Sequence, residues 1–271
     1  MKTLSHAIWF GRWLQRLGSA LMRRRKVIDL LPSVLAPQRR WLFDRRVGKV
    51  RKFVVRPSLS DYWSYDQCLG SSGFDLDLHP QGRLLRERYA SMLAAGRTPA
   101  ILDCGANIGC SAYWLGVEFP QARILAVEPD ADNVRLAEMN TRHCPNVRVV
   151  QAAVASADCR VSLSNIDQGS DAFRTEVSNA GAVPAYSVAS LLAQIGAQPQ
   201  DLLLAKIDIE GFEQELFSRN TEWVGLAGAI IVETHDWMLP GQATASNLLR
   251  CLSAVKRDFL VDGEHVMSFR I

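Results

Sequence analysis

Residues 100–115, "AILDCGANIGCSAYWL", run apolar into Asp103, break at a turn holding Gly105, Asn107 and Gly109, and then resume an apolar pattern. In an open α/β sheet, ligands bind beyond the carboxyl ends of the strands, where a glycine turn lets backbone amides at a helix N-terminus come close. Gly105 and Gly109 supply that closeness, and Asn107 tolerates an unusual backbone angle while offering amide contacts. The spacing departs from the G-x-G-x-x-G of dinucleotide sites, and an acid precedes the first glycine. The stretch therefore reads as strand, ligand loop and helix.

Outward from this unit the chain alternates. Short apolar runs at 100–104, 123–128, 147–154, 202–208 and 229–233 predict strands, and helices are expected near 110–118, 131–141, 187–195, 211–218 and 243–256. Such alternation implies a parallel sheet with helices on both faces. At the C-terminus, "FLVDGEHVMSFRI" places Asp262-Gly263 between two apolar runs, which predicts a hairpin and hence an antiparallel closing pair. Upstream, "KFVVR" (52–56) reads as a strand and "GRLLRERYASMLAAG" (82–96) as a helix stopped by Gly96, with the aromatic and polar "DYWSYDQCL" (61–69) between them.

The strand ends carry the chemistry. Glu128 closes the second strand, where an acid accepts both hydroxyls of a ribose, and Asp103 ahead of the glycine loop favours a cofactor with positive charge there. An adenosine with an amino acid on its sulfur meets both demands. Its candidate contacts are Asp103, Gly105, Ala106, Asn107, Gly109, Glu128 and Pro129, with Asp158 after the third strand either reading an adenine edge or making a turn.

In "KIDIEGFE" (206–213), Lys206, Asp208 and Glu210 bring three charges to the end of a strand expected to be buried on both faces. Buried charge is costly unless paired or used. Either these residues form an ion pair capping the sheet, or they open into the crevice shared by Asp103 and Glu128 as catalytic groups. Glu213 falls on the following helix, as an N-terminal acid favoured by the dipole or as a substrate contact. In "IIVETHDW" (230–237), Glu233 and His235 share a strand face, and His235 is the one histidine expected at this edge. It either takes a proton from a hydroxyl acceptor or is satisfied by Glu233 or Asp236. Alternatively, Asp208, Glu233 and Asp236 collect a divalent cation that polarises the acceptor oxygen. Asp61, Tyr62 and Gln67 either fold over the cofactor or acceptor or simply pack.

Three stretches, "ILDCGANIG" (101–109), "AVEPDADN" (126–133) and above all "KIDIEGFE", give the chain from about residue 60 onward its resemblance to the FkbM family of S-adenosylmethionine-dependent methyltransferases. The resemblance implies a class I methyltransferase fold, a Rossmann-like seven-stranded sheet with strand 7 antiparallel and helices on both faces. It also implies methyl transfer to a hydroxyl of a sugar, glycan, polyketide or similar secondary metabolite. An in-line displacement follows, with Asp208 and His235 as candidate bases. Family members often carry an aspartate in an "LDxLL"-like run where this chain has "YSVASLL" (186–192), so that residue's role is not carried over. A NAD-dependent oxidoreductase on the same fold is disfavoured by the loop spacing and Asp103. A non-catalytic membrane or partner adaptor is disfavoured by the presence of all three motifs.

Composition bounds the remainder. The chain has 271 residues, 48% of them hydrophobic, enough for one catalytic domain and an extension, and its six cysteines lack zinc-type spacing, as suits reduced thiols in a cytoplasmic protein. No stretch approaches the about 20 apolar residues of a membrane span, and the start lacks a signal-peptide pattern. Residues 1–56 carry a net +13 and the rest −10. The chain is therefore divided into a basic amphipathic N-terminal extension, 1–51, and a methyltransferase domain, 52–271. Within the extension Trp9, Phe10, Trp13, Leu14, Leu17, Leu21 and Met22 form an apolar stripe flanked by Arg12, Arg16 and Arg23 to Lys26, in a helix ending before Pro32. Residues 1–31 would pack on the fold or on a second copy of the chain, or lie on an anionic membrane surface, conferring attachment rather than catalysis; no nucleic-acid module surrounds them.

Overall fold

The computed structural model describes residues 25–30, 38–70, 75–165, 173–178 and 180–271. An antiparallel sheet comes first, with β1 (Val27–Asp29), β2 (Arg39–Asp44) and β3 (Lys49–Val54). Helix α1 (Leu59–Tyr65), continued by a wide turn over 66–70, and α2 (Pro80–Ala94) lead into the main fold. There β4 (Ala100–Cys104), α3 (Cys110–Glu118), β5 (Arg123–Glu128), α4 (Ala131–Thr141) and β6 (Val147–Gln151) follow the expected alternation. A side sheet is then formed by β7 (Ala153–Val154), β8 (Cys159–Asn165), β9 (Phe173–Val177) and β10 (Val183–Tyr186). The chain returns through α5 (Val188–Gln194), β11 (Leu202–Ile207), α6 (Glu213–Leu216), α7 (Trp223–Leu226), β12 (Ala229–Glu233), α8 (Ser246–Ser253), β13 (Arg257–Asp262) and β14 (His265–Arg270).

The main sheet has seven strands in the order β13-β14-β12-β11-β4-β5-β6. Its central strands β4 and β11 are buried at every position, as expected where helices cover both faces. Ile101, Ile124 and Leu204 pack with Tyr113, Trp114 and Phe119 in one core. Leu102, Leu125, Ala205 and Ile230 pack with Leu191, Leu192 and Leu248 in the other. Only β14 runs against the rest: β13 is antiparallel to β14, and therefore parallel to β12. The antiparallel closing pair expected from the hairpin is thus a single reversed strand within the sheet. All six cysteines are free thiols.

Several local expectations change. The run 147–154 is two strands, because the backbone leaves the main sheet at Ala152, after its N–H bonds Glu128 O at 3.1 Å, and Ala153–Val154 pair with β10 instead. The helix expected over 211–218 is only α6, because Glu210 and Gly211 have φ of 53° and 93° and delay its start. The boundary at residue 51/52 falls inside β3, so the described part of the basic extension is continuous with the following chain. Buried Asp44 accepts from Tyr113 Oη at 3.0 Å and pairs with Arg46 at 2.7 Å, while Phe53 meets the Tyr113 ring edge-on at 4.9 Å. Lys26, read above as part of the cationic flank of an N-terminal helix, instead pairs with Asp75, Asp77 and Glu118 at 2.6–2.9 Å. The strand at 27–29 also excludes a helix reaching Pro32; the apolar stripe from Trp9 to Met22 lies outside the described residues. Among the described residues, no helix is long and apolar enough to cross a membrane.

Candidate active site

The loop after β4 is tied to the neighbouring strand: the N–H groups of Gly105 and Ala106 both donate to Val127 O, at 2.9 and 3.1 Å. Gly105 has φ +79°, and a Cβ there would lie 1.7 Å from the Asp208 carbonyl oxygen, so only glycine lets this loop pass the end of β11. Gly109 serves a different contact. Its Cβ would lie 2.8 Å from Ala137 Cα, which makes it the packing point between α3 and α4 rather than a residue lining the cleft. Between them Asn107 adopts φ 47°, donates its N–H to Glu128 Oε2 at 2.8 Å and its Nδ2 to Ser64 Oγ at 2.9 Å.

A solvent-open cleft with about 640 Å³ of empty space lies at these strand ends. Gly105, Asn107, Glu128, Pro129, Asp208 and Glu210 are among its lining residues. Glu128 is nearly buried; its Oε1 accepts from Asp130 N–H at 3.0 Å and from Asn133 Nδ2 at 3.2 Å. Burial raises its pKa above the usual carboxylate value, opposed by the backbone N–H groups of Asp130 and Asn107. Besides Gly109, three of the expected cofactor contacts, Asp103, Ala106 and Asp158, are absent from the cleft lining. Asp103 is fully buried, accepts from Ser111 Oγ at 2.7 Å and stands 3.6 Å from Lys206 Nζ, so its charge is committed to the interior. Asp158 accepts from the Ser187 N–H and Ser190 Oγ, both at 2.8 Å, and so secures the start of α5 within the variant "YSVASLL" run. Ala106, within the loop, is buried.

The charges of "KIDIEGFE" divide between the two alternatives left open by the sequence. Lys206 is buried, donates to Gly105 O at 2.8 Å and to Asp208 Oδ2 at 3.1 Å, and thus props the loop after β4 from beneath. Burial pulls its pKa down, but the charges of Asp208 and Asp103 outweigh this and raise it. Asp208 and Glu210 face the cleft. Burial and the neighbouring Asp208 charge raise Glu210 to about 7.

His235 comes from the loop beyond β12 rather than from the strand itself. It is 2% exposed, and its partner is neither Glu233 nor Asp236 but Glu213, whose Oε1 lies 2.9 Å from Nδ1. Burial lowers its pKa, but the Glu213 hydrogen bond and the surrounding carboxylates reverse this and raise it to about 9. Nε2 lies 3.5 Å from Glu210 Oε2 and 3.7 Å from Asp208 Oδ1. Asp236 turns away to accept from the Ala245 N–H at 3.0 Å, so the acidic trio expected around a cation is replaced by Asp208, Glu233 and His235, whose ligand atoms all lie within 4.8 Å of one another. A second histidine shares this edge. His265 on β14 is paired in register with Glu233, and its Nε2 lies 3.4 Å from Glu233 Oε2. Gln67 approaches the same His265 nitrogen at 3.4 Å, whereas Asp61 is buried and holds Arg56 at 2.7 Å. Tyr62 lies 5.9 Å from the Arg40 guanidinium.

The cleft also contains residues that the sequence reading left unassigned: Asn133, Thr175, Ile209 and Phe212. Asn133, Ile209 and Phe212 stand inside two of the quoted motifs. Thr175 comes from β9, and nothing in its local sequence points to the cleft.

A family model described as the methyltransferase FkbM domain matches residues 103–259. No curated protein matches the chain by sequence. Among solved structures, monomeric WbdD is 12% identical at a TM-score of 0.42, covering 76% of this chain and 43% of that one, so the present chain spans less than half of WbdD's length. A precorrin-6y C5,15-methyltransferase from Geobacter metallireducens is 12% identical at a TM-score of 0.36, covering 68% and 88% of the two chains. The fibrillarin pre-rRNA processing protein of Methanococcus jannaschii is 11% identical at 0.38, covering 64% and 65%.

Proposed function

We propose, because this chain belongs to the methyltransferase FkbM family, that the methyl group it transfers goes to a hydroxyl oxygen of a sugar, a glycan or a similar secondary metabolite. The chain is an S-adenosylmethionine-dependent methyltransferase. Its cleft fits that cofactor: among the described residues Asn107 Oδ1 is buried without a hydrogen-bond partner at the cleft wall, and Glu128 beside it retains acceptor capacity for a ribose. S-adenosylmethionine, when bound, supplies a methyl group on a sulfonium sulfur, an electrophile that an acceptor oxygen displaces in line.

The residues of this chain supply orientation and proton transfer. Gly105 and Asn107 shape the loop, Glu128 fixes the ribose end, and Lys206 holds the loop from behind through Gly105 O. The observation that carries the hydroxyl reading is the placement of Asp208 and Glu210 on the same cleft as Glu128. An alcohol must lose its proton as its oxygen becomes the nucleophile, and a carboxylate within the cleft is suited to receive it. Alignment of acceptor and methyl then accounts for much of the acceleration. Incubation of the pure chain with methyl-labelled cofactor and a panel of sugars, glycans and lipid-linked sugars tests the reading. Label should appear in methyl ethers; label confined to nitrogen or carbon acceptors would sink it.

We also infer that residues 1–24 attach the enzyme to an anionic membrane surface at the inner face of a membrane. The support is the stripe from Trp9 to Met22 beside Arg12, Arg16, Arg23 and Arg24. Attachment of this kind would bring the cleft near lipid-linked acceptors.

A further inference from the structure

Behind Asp208 the ends of three strands and one helix converge: β11 leads to Asp208, β12 ends at Glu233, β14 begins at His265, and α6 begins at Glu213. Four carboxylates, Asp208, Glu210, Glu213 and Glu233, surround His235 and His265. Lys206 is the ammonium among them, 3.1 Å from Asp208, and it is shared with Asp103. A partly buried cluster with this excess of acceptors is costly unless its histidines hold protons or another cation enters it. Among the described residues, Glu213 Oε2 is buried with no hydrogen-bond partner, although its other oxygen holds His235.

The orientation of His235 points to the kind of cation. The Glu213 contact is made through Nδ1, which leaves Nε2 facing Asp208 and Glu210 at distances beyond a good hydrogen bond. A carboxylate on one ring nitrogen, with the other directed at acids where a metal ion can replace its proton, is the arrangement that orients metal-binding histidines. His265 supports Glu233 in turn, its Nε2 3.4 Å from Glu233 Oε2. We propose that Asp208, Glu233 and His235 bind one divalent cation, with Glu213 and His265 as positioning residues.

The three ligand atoms lie within 4.8 Å of one another, close to the spread of donors about 2.0–2.3 Å from a shared ion. Two carboxylate oxygens and one imidazole form a mixed set that excludes soft ions and favours Mn²⁺ over Mg²⁺ or Ca²⁺, because the nitrogen ligand strengthens binding of the first-row metal. Asp208 lines the cleft, so the remaining coordination positions open toward the acceptor. The ion's role rests on the hydroxyl reading above: it polarises the acceptor oxygen, whose proton passes to Glu210.

The test uses the full chain, stripped of metal with chelator and titrated with Mn²⁺ alone, with free Mn²⁺ followed by electron paramagnetic resonance. One Mn²⁺ should bind per chain, more tightly than Mg²⁺ does in a parallel calorimetric titration. Glu233→Gln and His235→Gln should each weaken Mn²⁺ binding at least about tenfold, and Glu213→Gln by about 10–100-fold through loss of ring orientation. Asp132→Asn, a substitution at an exposed acid on α4, should leave binding unchanged. Melting curves report folding; if His235→Gln does not fold, Glu233→Gln at its strand end decides. Absence of saturable Mn²⁺ binding, or equal losses in Asp132→Asn and Glu233→Gln, would overturn the proposal. Cofactor binding measured in chelator separates the two readings: cofactor bound without any Mn²⁺ site leaves the methyltransferase reading standing and removes the metal.

Discussion

Replacing Lys206 with Met keeps most of the side-chain volume and removes the charge. The ammonium lost is 3.6 Å from Asp103, 3.1 Å from Asp208 and 2.8 Å from the Gly105 carbonyl. Asp208 reaches the cleft and can be hydrated, but Asp103 is fully buried, and its Oδ1 has no hydrogen-bond partner among the described residues. At that separation and an effective dielectric of about 20, the attraction removed from Asp103 is about 4–5 kcal/mol. Protonation of Asp103 limits the damage, since neutralising a carboxyl of ordinary pKa about 3.9 at pH 7 costs about 4 kcal/mol. Breaking buried pairs by removing one partner costs about 3–5 kcal/mol, which agrees. Lys206→Met should therefore lose about 3–5 kcal/mol, or about 6–20 °C in melting temperature for a domain of this size. Urea denaturation of wild type, Lys206→Met, Asp103→Asn and the double variant gives the coupling, which should exceed about 2 kcal/mol, with the double variant more stable than Lys206→Met. A Lys206→Met protein within about 1 kcal/mol of wild type, or a double variant with no recovery, would refute the reasoning.

Glu128→Ala should weaken cofactor binding by about 1–3 kcal/mol, read by calorimetry, through loss of a charged acceptor and of the bond that holds the Asn107 N–H. Unchanged affinity in a folded variant would remove Glu128 from the cofactor site. Gly105→Ala should cost at least about 1–2 kcal/mol from the left-handed backbone alone, with more from the clash on Asp208, and should reduce both cofactor affinity and turnover; a fully active variant would contradict the close approach. A chain starting at residue 52 should fail to yield soluble folded protein, because β1, β2 and half of β3 leave with the partners of Tyr113 and Trp114; a cooperative melt from it would count against that packing. A chain starting at Arg25 should keep its melt and its transfer to soluble acceptors while losing sedimentation with anionic vesicles, and equal sedimentation of both chains would end the membrane inference.

What the sequence by itself determined are the features written in local order. The apolar runs predicted β4, β5 and β12 and the helices α3 and α4 with their observed bounds, because burial on a sheet or along a helix imposes a short period. Glu128, Asp208 and Glu210 were legible as cleft residues because parallel strands deliver their carboxyl ends to one edge. Tertiary structure alone decided which neighbour each charge meets. Asp103 and Lys206 are 103 positions apart by chain but one strand apart in the β4–β11 register, so their pairing depends on sheet order. His265 reaches the site only because β14 inserts beside β12 and runs backwards, and Thr175 only because the side sheet folds toward the strand ends. Gly109 carries a signal identical in kind to that of Gly105, yet one meets a helix and the other a strand end. A residue type records that space is tight, whereas the atoms that make it tight come from distant segments brought together by packing.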